Sequence, residues 1–166
     1  MTDDRYKHVL VPTNFTPECR AACRAAFAAA RASGATITLF HVLPPPTAEY
    51  AGVSLDAFRM LHRAAERKSA YELGSPEQAA VDRARTVAKL REEIPKEWSD
   101  SLDVRYEVGR GNATSEVARF ARAANADVIV VGGTRPGRLP SLVRCFADRL
   151  ALATPVKIIR VLAPLL

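Results

Sequence analysis

The chain has 166 residues, of which 48% are hydrophobic and 25% charged, with a formal net charge of +6. This predicts one soluble domain over residues 1–166 with a buried core. It excludes a membrane span, since no apolar run reaches the ~18 residues a bilayer needs. The first residues, "MTDDRYKHVLVPTN", are acidic before they turn apolar, unlike a signal peptide. Three cysteines without framework spacing are expected of a protein in a reducing cytoplasm, and no His or carboxylate joins them at metal-ligand spacing.

The first element is "KHVLVPT" from Lys7, a short apolar run that reads as a buried strand. Thr16, Pro17 and Glu18 then mark a helix start: a cap, a first-position proline and an acid at the positive dipole end. Cys19, Ala22, Cys23, Ala26, Phe27 and Ala30 give that helix one apolar face, and Gly34 stops it. A second strand, Thr36 to Leu43, ends at the prolines 44–46. Strand, helix and strand within residues 7–43 predict a parallel pair with a right-handed crossover.

Residues 47–100 read as a charged, alanine-rich helical segment between strands 2 and 3. Leu55, Phe58, Leu61, His62 and Ala65 share one helical face. "GSPE" at 74–77 interrupts the run, and Val87, Leu90 and Ile94 form a second seam closed by Pro95. Leu102 to Val108 alternates as a third strand. Asn112, Thr114 or Ser115 caps the next helix, with Val117, Phe120, Ala121 and Ala124 inward. "ADVIVVGG" is a fourth strand, apolar enough for the middle of a parallel sheet. Leu142, Val143, Phe146 and Leu150 line a last helix, and Val156 to Leu162 is a fifth strand.

This alternation predicts an α/β domain of three layers with a five-stranded parallel sheet, for which the usual order is 3-2-1-4-5. Its switch point falls between strands 1 and 4, and ligands bind there at the carboxyl ends. "PTNFT" after strand 1 and "GGTRPGR" after strand 4 both lie on that face. Residues 104–166 carry ten basic and four acidic groups, so the positive charge concentrates in the last third. Arg135, Arg138 and Arg144 belong to it. They either bind an anion or form a solvated basic surface.

"VLVPTNFTPECRAACRAAFAAARASGATITLFHVLPPP" and "YEVGRGNATSEVARFARAANADVIVVGG" resemble the two halves of a universal stress protein domain. The resemblance spans nearly the whole chain except residues 47–100. It implies an adenine nucleotide alpha hydrolase-like fold and a crevice built by Pro12, Thr13, Asn14, Val42, Gly132, Gly133, Thr134, Arg135, Gly137, Arg138, Cys145 and Phe146. Members that bind ATP resemble Gly-x2-Gly-x9-Gly-(Ser/Thr) after strand 4. Counted from Gly132, the second glycine falls on Arg135, the third on Cys145 and the hydroxyl on Phe146. Gly137 lies in the loop but off that register. The acid such members carry after strand 1 is Asn14 here.

Those departures have physical consequences. Arg135 disfavours the φ and the close approach that glycine allows. Pro136 and Pro140 lack an N–H, and Phe146 offers no hydroxyl. Guanidinium forks nevertheless bind phosphate well. The resemblance therefore implies a non-enzymatic stress-response protein acting through dimerisation and partner or small-ligand binding, with a degraded ATP motif. The alternative is a protein that binds ATP or another adenine nucleotide through a remodelled, arginine-rich loop. No cofactor is required under the first reading.

Single residues carry structural alternatives as well. Asn14 either reads a ligand or holds the turn after Pro12. His41 is expected to pack at the end of strand 2, and His8 and His62 have no catalytic setting. Cys19, Cys23 and Cys145 are expected to pack rather than react. Dehydrogenase, nucleotidyl transferase and hydrolase signatures are absent, so no catalysis is expected. Nucleic acid is not expected either: Tyr106, Phe120 and Phe146 are the last third's aromatics, and two sit on apolar helical faces. The last strand, 156–162, is an apolar sheet edge, and the resemblance implies that it pairs with a second copy.

Overall fold

A computed structural model describes residues 6–44, 76–133 and 145–162. Five parallel strands form one sheet in the order β3-β2-β1-β4-β5. They are β1 (His8–Pro12), β2 (Thr36–Leu43), β3 (Val104–Arg110), β4 (Val128–Gly133) and β5 (Lys157–Leu162). The described helices are α1 (Pro17–Ser33), α2 (Pro76–Glu92), the single turn α3 (Lys96–Ser99), α4 (Ala113–Ala123) and α5 (Phe146–Ala153). The expected α/β class, layers and strand order are all present.

Alternation along each strand sorts the core into two halves. On the first face, Val9, Val11, Ile37, Leu39, Val128 and Val130 meet Ala22, Cys23, Ala26, Phe27 and Ala30 of α1, together with Leu90 and Ile94. On the second, Leu10, Phe40, Ile129 and Val131 meet Val117, Ala118 and Ala121 of α4 and Ala147 and Leu150 of α5. Fully burying one such side chain stabilises by about 1.5–3 kcal/mol, so these two layers fix the sheet. Gly34 ends α1 in the left-handed conformation, φ 68°, donating its N–H to the Ala30 carbonyl.

The amino ends of β1 and β4 are locked by side chains. Asp127 Oδ2 accepts from the backbone N–H of Lys7 at 2.7 Å and of His8 at 2.8 Å. His8 Nδ1 lies 2.9 Å from the Ala124 carbonyl, which only accepts, so Nδ1 donates. Its Nε2 reaches Thr38 Oγ1 of β2 at 2.8 Å. His8 is a structural tie among three segments, a role the sequence did not suggest.

Several boundaries differ from expectation. Strand 3 runs from Val104 to Arg110 rather than from Leu102, because Leu102 N donates to Ser99 O and closes the turn after α3. α3 itself, started by Pro95, was not expected. The last helix begins at Phe146, since Cys145 has extended backbone, φ −66° and ψ 165°. Leu142 and Val143 lie outside the described residues, as does the helical face expected over 55–65.

Candidate functional site

The crevice expected at the switch point falls where β1 and β4 separate. β1 pairs with β2 along five residues but with β4 only at Val9↔Val128 and Leu10↔Ile129. Beyond that point the first turn of α1 lies against β4. A Cβ on Gly132 would overlap the Glu18 carbonyl group and sit 2.7 Å from Cys19 N. Gly132 is therefore required for the close approach of a helix backbone. Gly133 is less confined: its Cβ would meet Arg160 Cγ at 3.3 Å.

The turn after β1 is pinned to β2. Thr13 N donates to the Phe40 carbonyl at 2.9 Å, and His41 Nδ1 donates to the Thr13 carbonyl at 2.7 Å. Thr13 Oγ1 accepts from Phe15 N at 3.2 Å. Phe15 adopts φ 66°, costly for a bulky residue and held by its surroundings. Its ring lies 4.7 Å from the His41 ring, and Lys89 Nζ sits 4.1 Å from its centroid. His41 is thus a packing and tethering residue, as expected. Behind this turn, Thr13, Phe15, Thr16, Cys23 and Leu90 line a cleft with room for about one water molecule. The Arg20–Glu93 ion pair, 2.7 Å, is at its side.

Asn14 holds the turn. Its Oδ1 accepts from Thr16 N at 3.3 Å and from Cys19 Sγ at 2.9 Å. Thr16 occupies the N-cap position but, contrary to expectation, its side chain makes no capping bond; the Asn14 bond to Thr16 N is a turn contact before the helix. Asn14 is exposed, and its side-chain amide carries two donors besides the bonded oxygen. Pro12 is buried, and Val42 is half-buried against the second core face.

Across the crevice, α5 starts with chemistry unlike a phosphate cradle. Cys145 is exposed at the N-cap, and its Sγ donates to Asp148 Oδ2 at 3.0 Å. Arg160 of β5 donates to Asp148 Oδ1 at 2.6 Å. The Cys145 bond, then Arg160, hold the Asp148 carboxyl below its usual range. Cys145 was expected to pack, but it is placed before the helix, outside the apolar seam. Phe146 packs against the second core face. Cys19 was expected in the core and is instead half-exposed in the first turn of α1; Cys23 is buried, and burial pushes its thiol up to about 12. Thr134, Arg135, Gly137, Arg138 and Arg144 lie outside the described residues.

A parallel α/β sheet whose strands part at the switch point, with a pinned turn on one side and a helix start on the other, is an open doubly wound α/β domain. The chain belongs to the universal stress protein family, which it matches over residues 5–160. No curated protein matches it in sequence. Among solved structures, a universal stress protein from Lactobacillus plantarum is 17% identical, with a TM-score of 0.59 and 95% of this chain and 98% of that chain covered. A universal stress protein in complex with cAMP is 16% identical, TM-score 0.60, with 95% and 97% covered. A family member from Arabidopsis thaliana with AMP bound is 15% identical, TM-score 0.51, with 95% and 92% covered. At these identities the likeness concerns the fold. No helix among the described residues is long and apolar enough to cross a membrane.

Proposed function

We propose that this chain is a non-enzymatic, cytoplasmic stress-response protein that acts by dimerisation and by binding a partner or small ligand, with its ATP motif degraded. The observation carrying this reading is the start of α5. The Asp148 carboxylate occupies its first turn, where an incoming phosphate would meet like charge. Phe146 there is turned into the core and offers no hydroxyl. The homodimer forms through the β5 edge, where Ile158, Ile159 and Val161 are half-buried and Leu162 is 42% exposed. Sedimentation tests this part: a mass of one chain at every micromolar concentration removes it.

A second reading is supported by Asn14, whose amide donors are free to meet a base or hydroxyl at the open switch point, and by the cAMP and AMP carried by similar folds. Under it, an adenine nucleotide binds with its phosphates held by Arg135 and Arg138. Calorimetry with ATP, with and without magnesium, separates the two. Heat that disappears in the Arg135→Gly and Arg138→Ala variants supports the second reading; no heat at millimolar nucleotide removes it.

A further inference from the structure

α2 is unusual for a helix of 17 residues, because Leu90 is its one buried residue. From Pro76 to Arg85 every residue except Asp82 is exposed, and Val81 is 48% exposed. Apolar burial therefore anchors only the carboxyl half. Among the described residues two ion pairs tie the amino half to β3. Arg110 donates to Asp82 at 2.9 Å, with side chains 29% and 24% exposed, and Arg83 donates to Glu107 at 2.7 Å.

The second pair crosses the sheet edge. Leu90 of α2 lies on the first face. Glu107 is the register partner of Phe40, which belongs to the second face, and register partners share a face. Arg83 must therefore pass around the outer side of β3 to reach Glu107.

Among the described residues that outer side is an open edge. Asp103 O accepts from Ile37 N, and Gly111 N donates to Leu43 O. Odd-numbered residues of β3 thus turn their backbone groups toward β2, and Val104, Tyr106 and Val108 turn theirs outward. Among the described residues no backbone hydrogen bond reaches those outward groups.

The exposed edge is complementary to itself. In an antiparallel pairing with a second copy centred on Tyr106, Val104 falls opposite Val108 and Arg105 opposite Glu107. Tyr106, Val104 and Val108 are the residues with outward backbone groups, so all three become hydrogen-bonded pairs. Arg105 and Glu107 take the closer non-hydrogen-bonded position, where opposite charges attract. β5 carries Lys157 and Arg160 but no acid, so no register gives it this match.

We propose that the amino half of α2 is an electrostatic strap across the β3 edge, and that its release opens this edge to antiparallel pairing with a second copy of the chain. Arg83–Glu107 is exposed and Arg110–Asp82 only part-buried, with no apolar burial beside them, so the strap opens before the core does. The pairing is separate from the β5 contact and does not rest on any ligand.

The D82N/R83Q variant removes both ion pairs without touching the crevice. Hydrogen exchange of amides 77–85 should quicken roughly tenfold while those of 117–121 stay unchanged. Sedimentation should show association strengthened beyond that of the unmodified chain. Adding R105E places like charges across the pair and should weaken that association roughly tenfold. Adding E107R to R105E exchanges the charges and should restore it. Unchanged exchange over 77–85 overturns the strap. Association that ignores R105E, or that E107R fails to restore, overturns the edge.

Discussion

Gly132→Ala tests the geometry on which the crevice depends. The added Cβ meets the Glu18 carbonyl group and stands 2.7 Å from Cys19 N. Ordinary contacts lie at 3.5–4.0 Å, so one backbone must retreat by about an ångström. Neither yields easily. β4 is hydrogen-bonded to β5 through Gly132↔Val161, and α1 is fixed by Ala22, Cys23, Ala26, Phe27 and Ala30 in the core. Overpacking of this kind costs about 1–3 kcal/mol, and contact with backbone on both sides puts Gly132→Ala at the upper end. Gly133→Ala is the internal control. Its Cβ meets only the flexible Arg160 stem, at 3.3 and 3.4 Å, and should change stability by less than about 1 kcal/mol. Urea unfolding followed by circular dichroism measures both. Equal stability of the two variants would refute the close approach of α1 to β4.

Other outcomes follow from the same contacts. Asn14→Ala should cost about 1 kcal/mol in urea unfolding, and Thr16→Ala clearly less, because Asn14 Oδ1 accepts from Thr16 N while the Thr16 side chain makes no capping bond. Native labelling with a thiol reagent, read by mass spectrometry, should modify Cys145 first and Cys19 more slowly. Cys23 should react only on unfolding, since it is buried and its thiol is pushed up to about 12. Asp82, Asp103 and Asp148 have carboxyls held below their ordinary value of 3.8, by hydrogen bonds from Gln78, Arg105 and Cys145 first of all. A depressed folded-state pKa adds stability above the unfolded value, lost as pH falls through the folded one. Thermal midpoints should therefore hold steady down to about pH 4 and fall below it, and Asp103→Asn should flatten part of that fall.

The layers and strand order were legible because the strands are short and either apolar or alternating, and because α1 and α4 each present one apolar stripe. The expected crevice position rests on that order alone, and residues 134–144 that would border it lie outside the described ones. Its chemistry was harder to see. Cys145 looked like a packing residue because helical periodicity was extended back to Leu142, whereas the extended backbone at Cys145 begins the helix one residue later. Thr16 holds the N-cap position, yet its side chain makes no capping bond, and the side chain that orders this turn is Asn14, two residues earlier, which accepts from Thr16 N. His8 gave no sign of its role, since Ala124 O and Thr38 Oγ1 lie far away in sequence. The strap could not be read from α2 alone, because Arg83 and Glu107 meet only when the sheet edge is assembled.

The contact of Glu18 and Cys19 with Gly132 also orders events during synthesis. α1 belongs to the first strand–helix–strand unit, yet the surface that receives it includes Val128 and Val130, supplied about a hundred residues later. A ribosome that has released only residues 1–43 has made a helix whose apolar stripe lacks half its bed. Long-range closure of this kind slows folding and leaves apolar surface waiting. The amino-terminal unit is therefore a poor candidate for independent folding. The chain stays dependent on its own last third, and on whatever shields Phe27 and its neighbours until β4 arrives.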